Sequence, residues 1–271
     1  MRSDQEEHEF DEFAGEKEHK LQDGRLVIKT YEDFMENAIG GVVTRASKDL
    51  ASWAAKVPKD WHGCKTVELG SGCGLVSSAL LKMGASIVAT DLSELLPHLE
   101  YNISLNASAG CSDWQVQALN WGSSSDREAL RSKLGADGAD AIFAANCVYS
   151  RDTVEMFLTT LKALSGPETL ALMCGVPVPP VQRGSDITES IIDEFLSVCP
   201  DFFDSYLLEV PGEEDKSNES KDSPLATRLA SSHGLTASAL ADGVWLFKLP
   251  GSPCPSWVRP LLTLPSTCSE R

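Results

Sequence analysis

The chain has 271 residues, 42% of them hydrophobic and 23% charged, with 40 acids against 23 bases and a formal net charge of −17. That length suits one sizeable core or two small ones, and the apolar fraction excludes wholesale disorder. The acidic excess opposes coating of a phosphate backbone, and no stretch reaches the ~18 uninterrupted apolar residues of a membrane helix, so neither a nucleic acid nor a membrane is expected as partner.

Residues 1–20 carry eight acids and three bases and no apolar run, which resembles neither a secretory signal nor a basic transit peptide. We read 1–24 as an acidic flexible segment, 25–249 as the folded domain, and 250–271, proline-bearing and without a period, as an irregular tail. Residues 26–30 read as a strand and 46–55 as a helix. Residues 65–69 form a strand that ends in a glycine turn, after which Val76, Ala79, Leu80 and Met83 recur at the spacing of one buried helix face, stopped by Gly84. A β-branched run at 86–91 is a second strand, followed by a helix to about residue 106, and 114–119 is a third strand. Residues 126–134 are a short helix.

The run 139–145, broken only by Asp140, is apolar, as a strand buried on both faces requires. Val154, Phe157, Leu158 and Leu161 then mark a helix, 169–174 a further strand, and 186–196 a helix with Asp186 at its cap. Residues 202–210 and 244–249 read as strands with no convincing helix between them, so they are expected to pair antiparallel at one sheet edge. Between them, 211–223 reads as a mobile acidic insertion; it and the N-terminal segment hold roughly half of the charge excess. The alternation predicts an α/β fold: a doubly wound, Rossmann-like, seven-stranded sheet, mostly parallel with an antiparallel edge strand.

Eight scattered cysteines, with no C-x-x-C pair and no signal peptide, read as reduced thiols in the cytosol or nucleus. The histidines form no H-E-x-x-H, so no metal is expected. A G-x-S-x-G elbow is also absent, because Leu69 stands where its first glycine should be.

The chemistry concentrates in residues 67–76, V-E-L-G-S-G-C-G-L-V. In an open parallel sheet a ligand sits beyond the carboxyl ends of the strands, and Gly70, Gly72 and Gly74 admit it close to the backbone. A dinucleotide fingerprint would need a glycine at Leu75, and a phosphate-binding P-loop would need a lysine well before Lys82. The acid here, Glu68, suits the cationic amino-acid end of S-adenosylmethionine, while Asp91 ends the next strand, where it can accept from both ribose hydroxyls.

These residues make the sequence resemble the seven-strand S-adenosylmethionine-dependent methyltransferases, and more narrowly the lysine-methyltransferase-like group called methyltransferase family 16. Four stretches carry the resemblance: E-L-G-S-G-C-G-L at 68–75, A-T-D-L at 89–92 leading to N-I-S-L-N at 102–106, L-N-W-G at 119–122, and N-C-V-Y at 146–149. It implies S-adenosylmethionine as cofactor, bound by Glu68, Gly70, Ser71, Gly72, Gly74, Asp91, Asn120 and Trp121, the last beside the adenine. It implies Asn146 and Tyr149 as catalytic residues, with the amide oxygen of Asn146 accepting from the target nitrogen. Family members usually carry aspartate where this chain has Asn146, and a tryptophan where it has Thr44. The function implied is an N-methyltransferase acting on lysine in a non-histone protein. The alternatives are a methyltransferase of the same fold acting on a small amine or on histidine or arginine side chains, and a non-catalytic cofactor-binding interaction module.

Overall fold

The computed structural model describes residues 14–21, 24–33, 40–110, 112–175, 191–208, 243–258 and 260–267. The chain divides into two compact units, Met1–Leu119 and Asn120–Arg271.

The first unit opens with a hairpin in which β1 (Gly15–Leu21) pairs antiparallel with β2 (Leu26–Glu32). This corrects the expectation of a flexible segment through residue 24. The strand pattern is hidden because the buried positions include His19, Thr30 and Glu32 as well as Leu21 and Ile28. Those polar groups satisfy one another: His19 Nε2 lies 2.8 Å from Thr30 Oγ1 and 3.2 Å from Glu32 Oε1. Burial holds the His19 imidazole below its ordinary pKa, and the nearby Lys48 ammonium acts in the same direction.

Helix α1 (Arg45–Lys56) buries Leu50, Ala51, Trp53 and Ala54. Thr44 is its N-cap, with Oγ1 accepting from Ser47 N–H at 3.1 Å. Strands β3 (Lys65–Leu69), β4 (Ser86–Asp91) and β5 (Trp114–Ala118) follow in spatial order, all parallel. The crossovers are α2 (Leu75–Lys82), buried from Leu75 through Leu81, and α3 (Leu96–Ser104). Parallel neighbours require such crossovers, and the core they enclose is Val67, Leu69, Val76, Ala79, Leu80, Ile87, Leu99 and Ile103.

The second unit contains α4 (Ser124–Leu134), β6 (Ala141–Ala145), α5 (Arg151–Leu164), β7 (Leu170–Cys174), α6 (Ile191–Val198), β8 (Asp204–Leu208), β9 (Val244–Lys248) and β10 (Pro260–Leu264). Its strands are ordered β6-β7-β9-β8-β10. β6 and β7 are parallel, β9 is antiparallel to both β7 and β8, and β10 is antiparallel to β8. The expected antiparallel portion is present, but its place differs. β9 lies between β7 and β8, and all five of its residues are buried, as a strand with two neighbours should be. The edge is β10, inside the tail read as irregular; its exposed, proline-led sequence lacks any alternation to announce it.

Aromatic packing holds this core, with the Phe247 ring 5.8 Å from both Phe195 and Phe203. Lys248 is only 2% exposed, and its ammonium donates to the carbonyls of Pro167 at 2.8 Å and Thr169 at 3.0 Å, which offsets part of its desolvation. The expected cap Asp186 and the acidic insertion 211–223 lie outside the described residues.

Candidate functional site

The glycine turn between β3 and α2 is built on three left-handed residues, Gly70, Gly72 and Gly74, at φ 64°, 50° and 68°. At Gly72 close approach adds to the backbone requirement: a Cβ there would lie 3.0 Å from the carbonyl oxygen of Gly40 and 3.3 Å from its Cα. Ser71 ties the turn to β4, since its N–H donates to the Thr90 carbonyl at 3.0 Å and its Oγ accepts from Thr90 N–H at 3.1 Å. Thr90 Oγ1 in turn donates to the Glu68 carbonyl at 2.7 Å.

Asp91 closes the arrangement. Its Oδ2 accepts the Gly72 N–H and its Oδ1 the Leu92 N–H, each at 2.8 Å. A carboxylate has about four acceptor positions, so each oxygen keeps one for a further donor. Two hydroxyls on adjacent carbons match that pair. Burial pushes the Asp91 carboxyl upward, against the pull of its two backbone donors.

Glu68 is placed differently from the expectation. It is 3% exposed, and its Oε2 accepts from Ser77 N–H at 2.9 Å and from the Ser77 hydroxyl. Ser77 sits in the first turn of α2, where backbone donors have no helical acceptor, and the N-cap Gly74 has no side chain to supply one. Glu68 therefore caps α2 from the preceding strand, its charge near the positive end of the helix. Desolvation pushes its carboxyl up to about 7, opposed by the bonds to Ser77 and reinforced by the Asp91 charge.

In the second unit, Asn120 and Trp121 open a tight turn. Asn120 Oδ1 accepts from Gly122 N–H at 2.9 Å, and Asn120 N–H donates to Asp126 Oδ2 at 3.0 Å. The Trp121 carbonyl accepts from Arg127 Nη1 and from Thr160 Oγ1, while its ring meets Phe157 edge-on with centroids 5.2 Å apart. Trp121 is half-buried, pinned from α4 and α5.

Asn146 follows β6 at φ 49°, a left-handed conformation that asparagine and aspartate tolerate better than other side chains, and its N–H donates to the Cys174 carbonyl at 2.8 Å. Val148 is buried, and Tyr149, just before the cap of α5, is 42% exposed.

The first unit thus brings together Glu68, Gly70, Ser71, Gly72, Gly74 and Asp91. In the second, Asn120 and Trp121 share one turn, and Asn146 and Tyr149 lie on the loop from β6 to α5. Sequence reasoning missed Gly40, Ser77 and Thr90 as parts of the donor-side turn. The Gly40-Gly41 pair was the one signal available for the first; Ser77 and Thr90 read as ordinary element residues. Among the described residues no group of three or more His, Cys, Asp or Glu side chains is placed to hold a metal ion.

A family model described as lysine methyltransferase matches residues 22–176, more than half of the chain. Protein-lysine methyltransferase METTL21E of Mus musculus is 41% identical over 107 residues, covering 39% of this chain and 43% of that protein. EEF1A lysine methyltransferase 3 of Xenopus tropicalis is 34% identical over 131 residues, 48% of this chain and 55% of that one. Protein N-lysine methyltransferase METTL21A of Danio rerio is 30% identical over 147 residues, 54% of this chain and 65% of that one. The chain spans about half the length of the curated relatives it matches.

Proposed function

The chain belongs to the lysine methyltransferase family, and we propose that it binds S-adenosylmethionine at its glycine turn and transfers the methyl group to a lysine side chain of another protein. The observation that carries the reading is Asp91: fixed by two backbone donors, one from the turn itself, it keeps acceptor positions for a ribose diol. The donor, when bound, supplies a methyl on a sulfonium, so that the C–S bond breaks with its electron pair leaving on sulfur as the N–C bond forms.

Little covalent work is left to the protein, which must hold, orient and exclude water. Asp91 would accept from the ribose hydroxyls and the Cβ-free turn would let the donor approach the backbone, while Glu68 fixes the start of α2 through Ser77. Trp121, pinned by its carbonyl and by Phe157, offers a fixed ring edge for the adenine. Asn146 would accept a hydrogen bond from the acceptor nitrogen through its amide oxygen, and Tyr149 would present its exposed ring to an incoming ammonium, which releases its proton to bulk water before the nitrogen attacks.

Asn146 also favours a second reading. The family's aspartate attracts a cationic lysine, whereas a neutral amide discriminates less against a small amine or a histidine or arginine side chain. Incubation with methyl-tritiated S-adenosylmethionine and cell lysate, followed by acid hydrolysis of the protein fraction, separates the readings. Label in methyl-lysine is expected. Label confined to small molecules or to another amino acid would overturn the lysine assignment.

A further inference from the structure

We propose that Asn102 and Asn106 are positioning residues for the donor turn, acting through the backbone of β2. The inference rests on the reading that this turn binds S-adenosylmethionine. Both side chains are buried on α3 or its C-terminal extension, and together they grip two residues of β2 by four hydrogen bonds. Asn102 Oδ1 accepts from Tyr31 N–H at 2.6 Å and its Nδ2 donates to the Tyr31 carbonyl at 3.0 Å. Asn106 Oδ1 accepts from Lys29 N–H at 2.9 Å and its Nδ2 donates to the Lys29 carbonyl at 2.7 Å.

The spacing explains why this works. Residues four apart on a helix rise about 6 Å, and residues two apart on a strand advance about 6.6 Å, so two asparagine amides can address alternate peptide groups of an extended chain. A primary amide offers the same donor and acceptor as a peptide group. With β1 on the other edge of β2, the two asparagines stand where a third strand would.

The grip leads to the turn along two routes. Beyond β2, Asp33 N–H donates to the Gly41 carbonyl at 2.8 Å, and Glu32 Oε2 accepts from Val43 N–H at 3.2 Å. These bonds hold Gly40, whose carbonyl accepts from Cys73 Sγ at 3.2 Å and stands where a Cβ of Gly72 would point. On the second route Asn102 Nδ2 donates to His98 Nε2 at 3.2 Å, and that imidazole packs against Cys73, its Nε2 3.7 Å from Sγ. The turn is thereby pressed between Asp91 and the Gly40 segment, with Asn102 one bond nearer to it than Asn106.

The test is calorimetric affinity for S-adenosylhomocysteine, read with hydrogen exchange of the peptide containing Gly70–Gly74 in the ligand-free protein. Asn102→Ala should weaken binding about tenfold, about 1.4 kcal/mol, and speed exchange of that peptide, and Asn106→Ala should do less of both. Leu207→Ala, a core truncation on β8 in the second unit, controls for lost stability: its Tm should fall while its affinity stays at the wild-type value. Where Asn102→Ala does not fold, Asn102→Asp keeps the size and the acceptor for Tyr31 N–H while losing the donor, and the same weakening is expected. A wild-type protein that binds the ligand and an Asn102 variant that binds it equally well overturn the proposal alone. A wild-type protein that binds none overturns the donor-site reading and the proposal with it.

Discussion

The backbone N–H of Gly72 donates to Oδ2 of Asp91 at 2.8 Å, so the acid that ends β4 sets the shape of the turn that ends β3. One carboxylate thereby fixes the turn and, in the proposed reading, would also accept from the ribose hydroxyls. An interaction already made before the ligand arrives costs no further ordering on binding, which is the advantage of a preorganised site.

Gly72→Ala tests the close approach at the turn. Both Gly72 and Gly110 are left-handed, at φ 50° and 81°, so alanine strains either by about 1–2 kcal/mol. Only at Gly72 would the new Cβ meet backbone, 3.0 Å from the Gly40 oxygen, whereas at Gly110 nothing lies within 4 Å. Gly72→Ala should therefore lower Tm further than Gly110→Ala and weaken S-adenosylhomocysteine binding, while Gly110→Ala leaves binding intact. Equal effects at the two glycines would remove the packing argument.

Glu68 should make stability depend on pH. Its folded-state carboxyl is raised from 4.5 to about 7, so between those values the folded protein holds a proton that the unfolded chain has released. Stability is lost as pH rises through that window, by roughly 3 kcal/mol for the full shift. Glu68→Gln keeps the shape and an acceptor for Ser77 without the titration. Thermal unfolding across pH 4.5 to 7.5 should show the variant gaining on the wild type as pH rises; parallel curves would mean that Glu68 titrates normally.

At Asn146 the backbone dictates which substitutions are informative. Alanine at φ 49° carries a strain of roughly 1–2 kcal/mol unrelated to chemistry. Asn146→Gly removes the amide and keeps the conformation, so it should slow methyl transfer substantially while S-adenosylhomocysteine affinity stays within a few-fold, the pattern of a contact that matters in the transition state. Asn146→Asp should leave Tm unchanged and preserve or raise transfer to a lysine substrate. Wild-type turnover in Asn146→Gly would withdraw the residue from the acceptor role.

The glycine turn was legible because its signals are local. Three glycines within five residues, an acid before them and an acid at the next strand end fix a strand, a turn and a helix start together. What stayed hidden depends on groups far apart in sequence. The glutamate expected to face the ligand caps a helix nine residues on, and nothing between Glu68 and Ser77 signals it. Asn102 and Asn106 belong to a stretch that carries the family resemblance, yet their partners lie 71 and 77 residues away. The first strand of the hairpin escaped because the interior it shares with β2 is a His-Thr-Glu cluster, which hydrophobic alternation does not detect, and β10 because an exposed edge strand needs only one buried side, here Leu262.

The central claim is that the turn at Gly70–Gly74 and Asp91 hold S-adenosylmethionine, and calorimetric titration with S-adenosylhomocysteine tests it most directly. Wild-type protein should bind one equivalent, Asp91→Ala should bind about a hundredfold more weakly or worse, and Asp91→Asn, which keeps one acceptor oxygen, should fall between, since hydrogen bonds to a charged group are worth ~1.5–3 kcal/mol each. No binding by the wild type, or equal binding by wild type and Asp91→Ala, would contradict the account.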